Sequence, residues 1–198
     1  MARPQIGAVR RREIVDATVR VMARHGWHET SIDEITKEAG ISRGLVSYHF
    51  KDKNELLGGV LERCHEIFSD QVAAAIASTD DPMEQIETST RAAILMARDN
   101  PLPYEVFMHF SASARTDAQL GERIREMYRD FRSATANGIR WGQARGYYRI
   151  GMDADAAAAK HLGTVIGIAL QWLLDPGAFD LEATGELALA MLVESLKP

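Results

Sequence analysis

A short segment of the chain concentrates side chains that can donate hydrogen bonds or carry positive charge. Residues 40–53 read GISRGLVSYHFKDK and contain an arginine, two serines, a tyrosine, a histidine and two lysines. Three kinds of structure use such a set: a metal or catalytic site, a surface that binds phosphate, and a solvated helix with no ligand. The residue types alone do not decide among them, so the surrounding sequence must.

The remaining sequence gives little support to a metal or catalytic site. His25 and His28 are three residues apart at a predicted helix end, without the H-E-x-x-H context of a zinc site. Cys64 and His65 are neighbours, but adjacency in sequence does not make a catalytic pair. We find no phosphate loop, dinucleotide fingerprint or nucleophile elbow. We therefore expect no enzyme activity, no bound metal and no cofactor.

Apolar residues recur with helical period almost throughout, and no segment alternates convincingly as a strand does. The fold class is therefore predicted to be all-α. The predicted helices run over about 10–25, from 32 to before Gly40, 43–50, from about 51 to about 77, 83–98, 104–114, 118–145, 153–174 and 181–196.

The second and third helices have clear boundary signals. Residues 31–34 read SIDE, a capping box in which Ser31 and Glu34 satisfy each other's backbone N–H groups. Gly40 suits the tight turn that follows, and Ser42 suits the N-cap of the third helix. Apolar residues at 35, 39, 41, 46 and 50 would pack the two helices together and onto the first. This arrangement is a helix-turn-helix.

The charge is distributed unevenly. The chain has a net charge of −5, yet residues 1–53 hold ten Lys and Arg against seven Asp and Glu, and the remainder holds 13 against 21. A basic head on an acidic body suggests an anionic partner for the head alone. We accordingly place a domain boundary between residues 1–53 and residues 54–198.

The third predicted helix meets the requirements of a helix that enters the major groove of DNA. Such a helix needs small or polar leading residues, flanking phosphate donors and an apolar rear. Arg43 can donate two bonds to guanine, and Gly44 allows close approach. The expected DNA-binding residues are Thr30, Ser31, Ser42, Arg43, Gly44, Ser47, Tyr48, His49 and Lys53.

The segment TSIDEITKEAGISRGLVSYHFKDKNELL (30–57) resembles the DNA-binding domain of the TetR family of bacterial transcriptional regulators. The preceding helix, from residue 11, extends the resemblance, and residues 140–176 resemble the C-terminal domain of the BetI-like branch, named after a choline-responsive repressor. The resemblance implies a symmetric homodimer and an operator with two half-sites. By matching position it implies base contacts from Arg43, Gly44 and Ser47, and phosphate contacts from Tyr48, His49 and Lys53. Leu45 departs from the family pattern.

The resemblance further implies a C-terminal helical bundle for ligand binding and dimerisation. The last two helices are candidates for the interface because they are apolar around much of their circumference, although both could simply be monomer core. The expected interface residues are Gly163, Gly167, Leu187 and Met191. The expected effector-pocket residues are the aromatic, sulfur-containing and imidazole side chains of the body: Tyr104, Phe107, Phe110, Met127, Phe131, Trp141, His161 and Trp172.

The sequence thus predicts a ligand-responsive repressor that binds a palindromic operator as a dimer and is released by an unknown small molecule. The alternative is a helical protein-interaction module without DNA binding, which gives no reason for the donors at 42–53. No secretory signal is visible, Cys64 is the single cysteine, and the apolar stretch at 162–174 is too short to span a bilayer. We expect a cytoplasmic protein with double-stranded DNA as partner and no membrane contact.

Overall fold

The computed structural model describes residues 3–198, excluding the side chains of residues 3–6 and of His28. Over these residues the chain forms nine α-helices and no strand, so the predicted all-α class is confirmed. The helices are α1 (Arg3–Glu29), α2 (Ile32–Ala39), α3 (Arg43–His49), α4 (Lys53–Ile76), α5 (Pro82–Asp99), α6 (Leu102–Ser113), α7 (Ala118–Ala144), α8 (Ala154–Leu174) and α9 (Leu181–Leu196).

The helices divide into two compact units that are not contiguous in sequence. The first unit contains the chain up to Ile67 together with Glu105–Arg123, and the second contains Phe68–Tyr104 together with Ile124–Pro198. Helices α4, α6 and α7 therefore contribute residues to both units. The boundary expected after residue 53 was drawn from charge and motif rather than packing, and it stays a prediction.

The first unit is built on the apolar face of α1. Ile14, Ala17, Val21 and Met22 are all buried, as their spacing predicts. α1 begins at Arg3, earlier than predicted. Its regular helix is interrupted at Gly26, the predicted stop, where φ is 76° and ψ is 168°. A further short helical turn follows this kink up to Glu29.

Helices α2 and α3 follow their predicted boundaries closely. Gly40 ends α2 in the left-handed conformation, with φ 65° and ψ 34°, which glycine adopts without steric cost. Ile35 on α2 and Val46 on α3 are buried, as is Phe50 at the end of α3. The rear of α3 is thereby anchored in the apolar core of the unit.

The second unit is organised around α5, which packs against both α8 and α9. Three of its helices begin with aspartate N-caps whose side chains accept backbone N–H groups: Asp81 for α5, Asp153 for α8 and Asp180 for α9. The buried core cluster contains Ala93, Ile94, Met96, Ala97, Tyr104, Val165, Ala169 and Leu181. Arg91 on α5 also pairs with Glu186 on α9 through two hydrogen bonds, of 2.5 and 3.0 Å.

Helix α8 has nearly its predicted bounds, 153–174, and much of it is open. Its 21 residues are long and apolar enough to cross a membrane by length and composition alone, but one helix of this kind does not by itself indicate a membrane span. Only 17% of its most apolar 18 residues are buried within the chain. Most of the α8 surface is thus available to a partner.

Candidate functional site

The second helix is held by the predicted capping box. Ser31 Oγ accepts from the Glu34 N–H at 3.2 Å, and the Glu34 carboxylate accepts from both the Ser31 N–H at 3.0 Å and the Ser31 hydroxyl at 2.9 Å. These hydrogen bonds lower the pKa of Glu34. The Ser31 donors are therefore engaged by a carboxylate, which would have to be displaced before a phosphate could take the same position.

The leading face of α3 is open to solvent. Arg43, Gly44, Ser47 and Tyr48 are exposed, Tyr48 to 82%, while the opposite side buries Val46. A Cβ built on Gly44 meets nothing closer than Ser42 Oγ at 4.0 Å. We call the exposed residues Ser42, Arg43, Gly44, Ser47 and Tyr48 the reading surface, because their positions match those expected to meet base edges and phosphates.

Ser42 occupies the N-cap position of α3 but does not cap through its side chain. Its backbone is extended, at φ −81° and ψ 153°, and its hydroxyl makes no capping hydrogen bond. Its carbonyl accepts from the Leu45 N–H at 3.0 Å. Ser42 is therefore the N-cap residue, as predicted, but it caps without its side chain, and the exposed hydroxyl remains available at the helix start.

Arg43 lies beside a carboxylate that the sequence interpretation overlooked. Its Nη1 is 3.6 Å from Oδ1 of Asp33, and the side chains are 69% and 75% exposed. Asp33 is in the first turn of α2, where an acid has an ordinary role in stabilising the helix N-terminus. Its proximity to Arg43 comes from the turn between the two helices, which a one-dimensional pattern does not show.

Thr30 does not present its side chain to a ligand. It is 3% exposed, and its hydroxyl donates to the Gly26 carbonyl at 2.7 Å. Its N–H donates to the Trp27 carbonyl at 3.3 Å. Both acceptors are carbonyls of the last turn of α1, which have no partner within the helix, and the hydroxyl predicted to hold phosphate holds the end of α1 instead.

Lys53 is also engaged within the unit. Its Nζ donates to the Trp27 carbonyl at 2.9 Å and lies 4.3 Å from the centroid of the Trp27 ring. Burial lowers the pKa of Lys53, against the opposing effect of nearby Glu29. Such a cation–π contact contributes about 0.5–2 kcal/mol. Sequence reasoning did not identify Trp27, because its contact with Lys53 joins residues 26 positions apart in the chain.

The end of α3 offers two further candidates. His49 is partly buried, and its ring meets Tyr48 edge-on at 5.1 Å between centroids. Lys51 was not among the predicted residues, but its side chain is exposed directly after α3. The family resemblance implied no phosphate contact from Lys51. The charge of this residue and its position after α3 are nevertheless visible in the sequence.

Several basic side chains of the first unit are paired internally. Arg20 and Arg24 on α1 both donate to Glu38 on α2, at 2.7 and 2.6 Å, and these hydrogen bonds lower the pKa of Glu38. Arg63 on α4 binds Asp16 at 2.7 Å. The number of basic side chains in this unit therefore overstates the number that are available to a partner.

Three of the expected effector residues belong to the core region of the second unit. Tyr104 is 1% exposed, and its hydroxyl donates to the Ala93 carbonyl at 2.9 Å. Phe68 meets Tyr104 at 4.9 Å and Phe131 at 5.8 Å between ring centroids. Trp172 packs against the same core cluster. We call Phe68, Tyr104, Phe131 and Trp172 the aromatic cluster.

The other expected effector residues are dispersed. Phe107 and Phe110 belong to the first unit, where Phe110 is fully buried 6.1 Å from the Trp27 ring. Trp141 is 43% exposed and stacks on Tyr147, with the Arg145 guanidinium 4.2 Å from its ring centroid. In the second unit, Met127 and His161 are partly buried. Burial lowers the pKa of His161 to about 4, so its imidazole is uncharged at neutral pH.

The residues expected at the dimer interface lie on open parts of α8 and α9. Leu187 and Met191 are 63% and 62% exposed. A Cβ built on Gly163 or on Gly167 meets nothing within 4 Å. Leu174, which was not predicted, is 73% exposed at the end of α8. We call Gly163, Gly167, Leu174, Leu187 and Met191 the apolar face.

Cys64 lacks the environment of a nucleophile. It is buried in α4, and burial raises the pKa of its thiol to about 12. A neutral thiol in an apolar setting is a poor nucleophile. The residue is a core position, as its place on the helix indicated.

Two family models match the chain, one for each part of the expected architecture. The model described as bacterial regulatory proteins of the tetR family matches residues 14–60. The model described as BetI-type transcriptional repressor, C-terminal, matches residues 82–197. The first match contains the reading surface, and the second contains the apolar face.

Individual proteins match over nearly the whole chain. The HTH-type transcriptional regulator BetI of Cronobacter sakazakii is 28% identical, covering 98% of this chain and 95% of its own length. A fatty acid metabolism regulator protein of Bacillus subtilis is 23% identical, covering 93% and 94%. The crystal structure of the Bacillus subtilis regulator FadR in complex with stearoyl-CoA superposes with a TM-score of 0.80 at 21% identity, covering 93% and 98%, which shows a shared fold.

These matches confirm the predicted class and exclude the rival ones. The protein is a ligand-responsive DNA-binding repressor rather than an enzyme or a helical interaction module, and it acts as a dimer. The chain belongs to the TetR family of bacterial transcriptional regulators, with a BetI-type C-terminal region.

Proposed function

We propose that residues 1–53 contain the operator contacts and that the reading surface makes the sequence-specific ones. The observation that carries this proposal is the combination of an exposed Arg43, Gly44 and Ser47 with a buried apolar rear at Val46. Arg43 would donate to the O6 and N7 atoms of a guanine, Gly44 would let the backbone approach, and Ser47 would bond to a base edge.

Phosphate contacts are assigned by exposure. Ser42 and Tyr48 have exposed hydroxyls beside the reading surface, and Lys51 adds an exposed ammonium at the end of α3. His49 is retained as a flanking donor. Thr30, Ser31 and Lys53 have their donors engaged internally, so we propose that they support the surface rather than bind the phosphate directly.

The test begins by recovering a preferred duplex from a randomised pool with the wild-type protein. Binding to that duplex and to random DNA is then measured over a range of salt concentrations. A specific regulator binds its site about 10³–10⁷-fold more tightly than random DNA, and both affinities fall with salt.

The Arg43→Ala variant assigns the reading surface. We expect it to weaken binding to the recovered duplex by about 5- to 150-fold for each half-site, the range for one bidentate base contact, and to relax the preference at one base pair of each half-site. Lys37→Ala, which removes an exposed charge elsewhere on the first unit, serves as the control. Unchanged base preference in Arg43→Ala would contradict the assignment.

We further propose that the apolar face forms the dimer interface. Its support is the exposure of large apolar side chains on α9 and the open space around the two glycines of α8, where a partner helix could approach closely. The low burial of the α8 window supports the same conclusion, since a soluble monomer rarely leaves so apolar a helix open. A dimer would hold two reading helices about 34–36 Å apart.

The effector is proposed to bind in the second unit near the aromatic cluster and His161. The aromatic cluster adjoins the buried apolar core of the unit, and His161 is uncharged at neutral pH, so the site suits a ligand with an apolar body. Trp141 is a poorer candidate for a quaternary amine, because Arg145 already lies over its ring. The Bacillus subtilis structure with stearoyl-CoA makes a long-chain acyl thioester a suitable first probe.

The effector proposal is tested with two probes of opposite character. Stearoyl-CoA and choline are titrated separately into the protein bound to its recovered duplex. Release of DNA by stearoyl-CoA, and not by choline, is the expected result. Release by choline alone would contradict the apolar assignment.

We also propose a cytoplasmic location, because a repressor must reach chromosomal DNA. The apolar surface of α8 is then explained by dimerisation. A fluorescent fusion that colocalises with the nucleoid, and not with the cell envelope, is the expected observation.

A further inference from the structure

Beside the reading surface lies an acidic side chain, a group that a DNA-binding surface would ordinarily exclude. Asp33 has an exposed carboxylate, and its Oδ1 lies 3.6 Å from Arg43 Nη1. A carboxylate at this position repels the phosphates of any duplex that approaches. Its presence beside the arginine proposed to read a base therefore requires a reason.

Helix stability supplies only part of that reason. An acid in the first turn favours the helix N-terminus, but α2 already has a complete capping box from Ser31 and Glu34, and Glu34 supplies a first-turn carboxylate. Among the described residues the Asp33 carboxylate pairs with Arg43, and the Asp33 backbone carbonyl accepts from the Thr36 hydroxyl at 2.9 Å. Its side chain is thus directed to Arg43.

From this geometry we infer that Asp33 is a specificity-determining residue that acts by positioning Arg43. The inference rests on the proposed function of the reading surface. A guanidinium has five N–H donors, and a guanine edge uses two of them, so Arg43 can contact a guanine and keep Asp33 as its neighbour. The ion pair restricts the orientations of the long side chain before DNA arrives.

The same carboxylate acts against incorrect sequences. Where no guanine accepts from Arg43, Asp33 still repels the phosphate backbone and competes for the guanidinium. Non-specific binding is therefore weakened more than specific binding. The pair lowers affinity for all DNA while raising the ratio between the operator and random sequence.

The experiment uses the full-length protein, the duplex recovered by the wild type, single-base-pair variants of that duplex, and random DNA. Four proteins are compared with the wild type: Asp33→Asn, Arg43→Ala, the double variant, and Glu62→Gln. The last removes one exposed negative charge from α4 and is the matched control. Thermal unfolding by circular dichroism checks that all four remain folded.

We expect Asp33→Asn to bind random DNA more tightly than the wild type does. We also expect it to lose about two- to fivefold in discrimination at the base pair read by Arg43, the size of coupling that exposed ion pairs give. In the Arg43→Ala background the same substitution should leave discrimination unchanged, because the two residues act as a pair. Glu62→Gln should not change discrimination.

Two results would overturn the inference while leaving the proposed function intact. One is full discrimination in Asp33→Asn. The other is an equal loss in both backgrounds, which would make Asp33 an independent base contact, for example to cytosine N4. If Arg43→Ala leaves base preference unchanged, or if the wild type recovers no duplex, the proposed function fails as well. These two controls therefore separate failure of the inference from failure of the proposed function.

Discussion

The two surfaces to which we assign partners have opposite chemistry. The reading surface of the first unit is small and polar around Arg43 and Gly44, whereas the apolar face of the second unit exposes Leu187 and Met191. A polar surface backed by a rigid core suits a hydrated polyanion, and an apolar surface suits another apolar surface. The difference shows that exposure alone does not indicate what a surface binds; the chemical type of the exposed groups does.

The largest expected effect comes from charging the apolar face. The double substitution Leu187→Glu and Met191→Glu would bury unpaired carboxylates in the dimer interface, at a cost of about 3–5 kcal/mol or more. We expect the dimer dissociation constant to rise by at least about 100-fold, as measured by analytical ultracentrifugation.

The matched control adds two glutamates at exposed alanines of α4, Ala73 and Ala74. It should remain a dimer. A charged apolar face that still dimerises with wild-type affinity would show that the two open surfaces do not have the partners we assign.

Acidification should lower the folding stability of the second unit through protonation of His161. Its pKa is lowered to about 4 by burial, below the ordinary value of about 6.5, so the unfolded chain binds its proton first. Stability from this group is complete above about pH 6.5 and is lost as pH falls toward 4, up to about 3 kcal/mol.

Guanidinium unfolding at pH 7 and pH 5 measures this effect, and His161→Gln provides the control. Protonation of paired carboxylates also lowers the stability of the protein as pH falls. The relevant quantity is therefore the difference between wild type and variant in the pH dependence of the free energy of unfolding. An identical pH dependence in the two proteins would show that His161 is not desolvated.

Gly44→Val separates binding from stability on the reading surface. A side chain there meets no other part of the protein, since a Cβ has only Ser42 Oγ nearby at 4.0 Å, so folding should be little affected. Close approach of DNA should be blocked, at about 1–3 kcal/mol, or roughly 5- to 150-fold in affinity. Fluorescence anisotropy measures binding, and a thermal melt measures folding; a variant that binds normally would exclude close contact at this position.

The smallest expected effect compares two lysines two residues apart. Lys51→Ala should remove one phosphate contact from each protomer and reduce the slope of log affinity against log salt by about 0.9 per protomer, with stability unchanged. Lys53→Ala should instead lower stability by about 0.5–2 kcal/mol, because its ammonium binds the Trp27 carbonyl and ring. The reverse pattern would return Lys53 to the set of direct phosphate contacts.

The sequence predicted the elements well wherever local signals decide them. The start of α2 follows from the capping box at Ser31, its end from Gly40, and the burial of Val46 and Phe50 from helical spacing. α9 was predicted with its observed bounds, Leu181–Leu196. These features depend on interactions between residues only a few positions apart, which a pattern can represent.

The use of individual donors could not be predicted in the same way. Thr30 and Lys53 have side chains of the type that binds phosphate, but their donors are satisfied by backbone carbonyls at the end of α1. Likewise, periodicity does not reveal that Phe110 packs with Trp27 in the first unit while Tyr104 belongs to the second. Such assignments depend on contacts between segments that are far apart in the chain, which a one-dimensional pattern does not represent.

The membership of Glu105–Arg123 in the first unit affects how the protein can be divided for engineering. A fragment or chimera that keeps only the chain up to Ile67 would leave Trp27 without Phe110 and Gly58 without Arg123, its neighbours in the intact unit. Transplanting the operator specificity of this regulator onto another body therefore requires two exchanged segments rather than one N-terminal cassette.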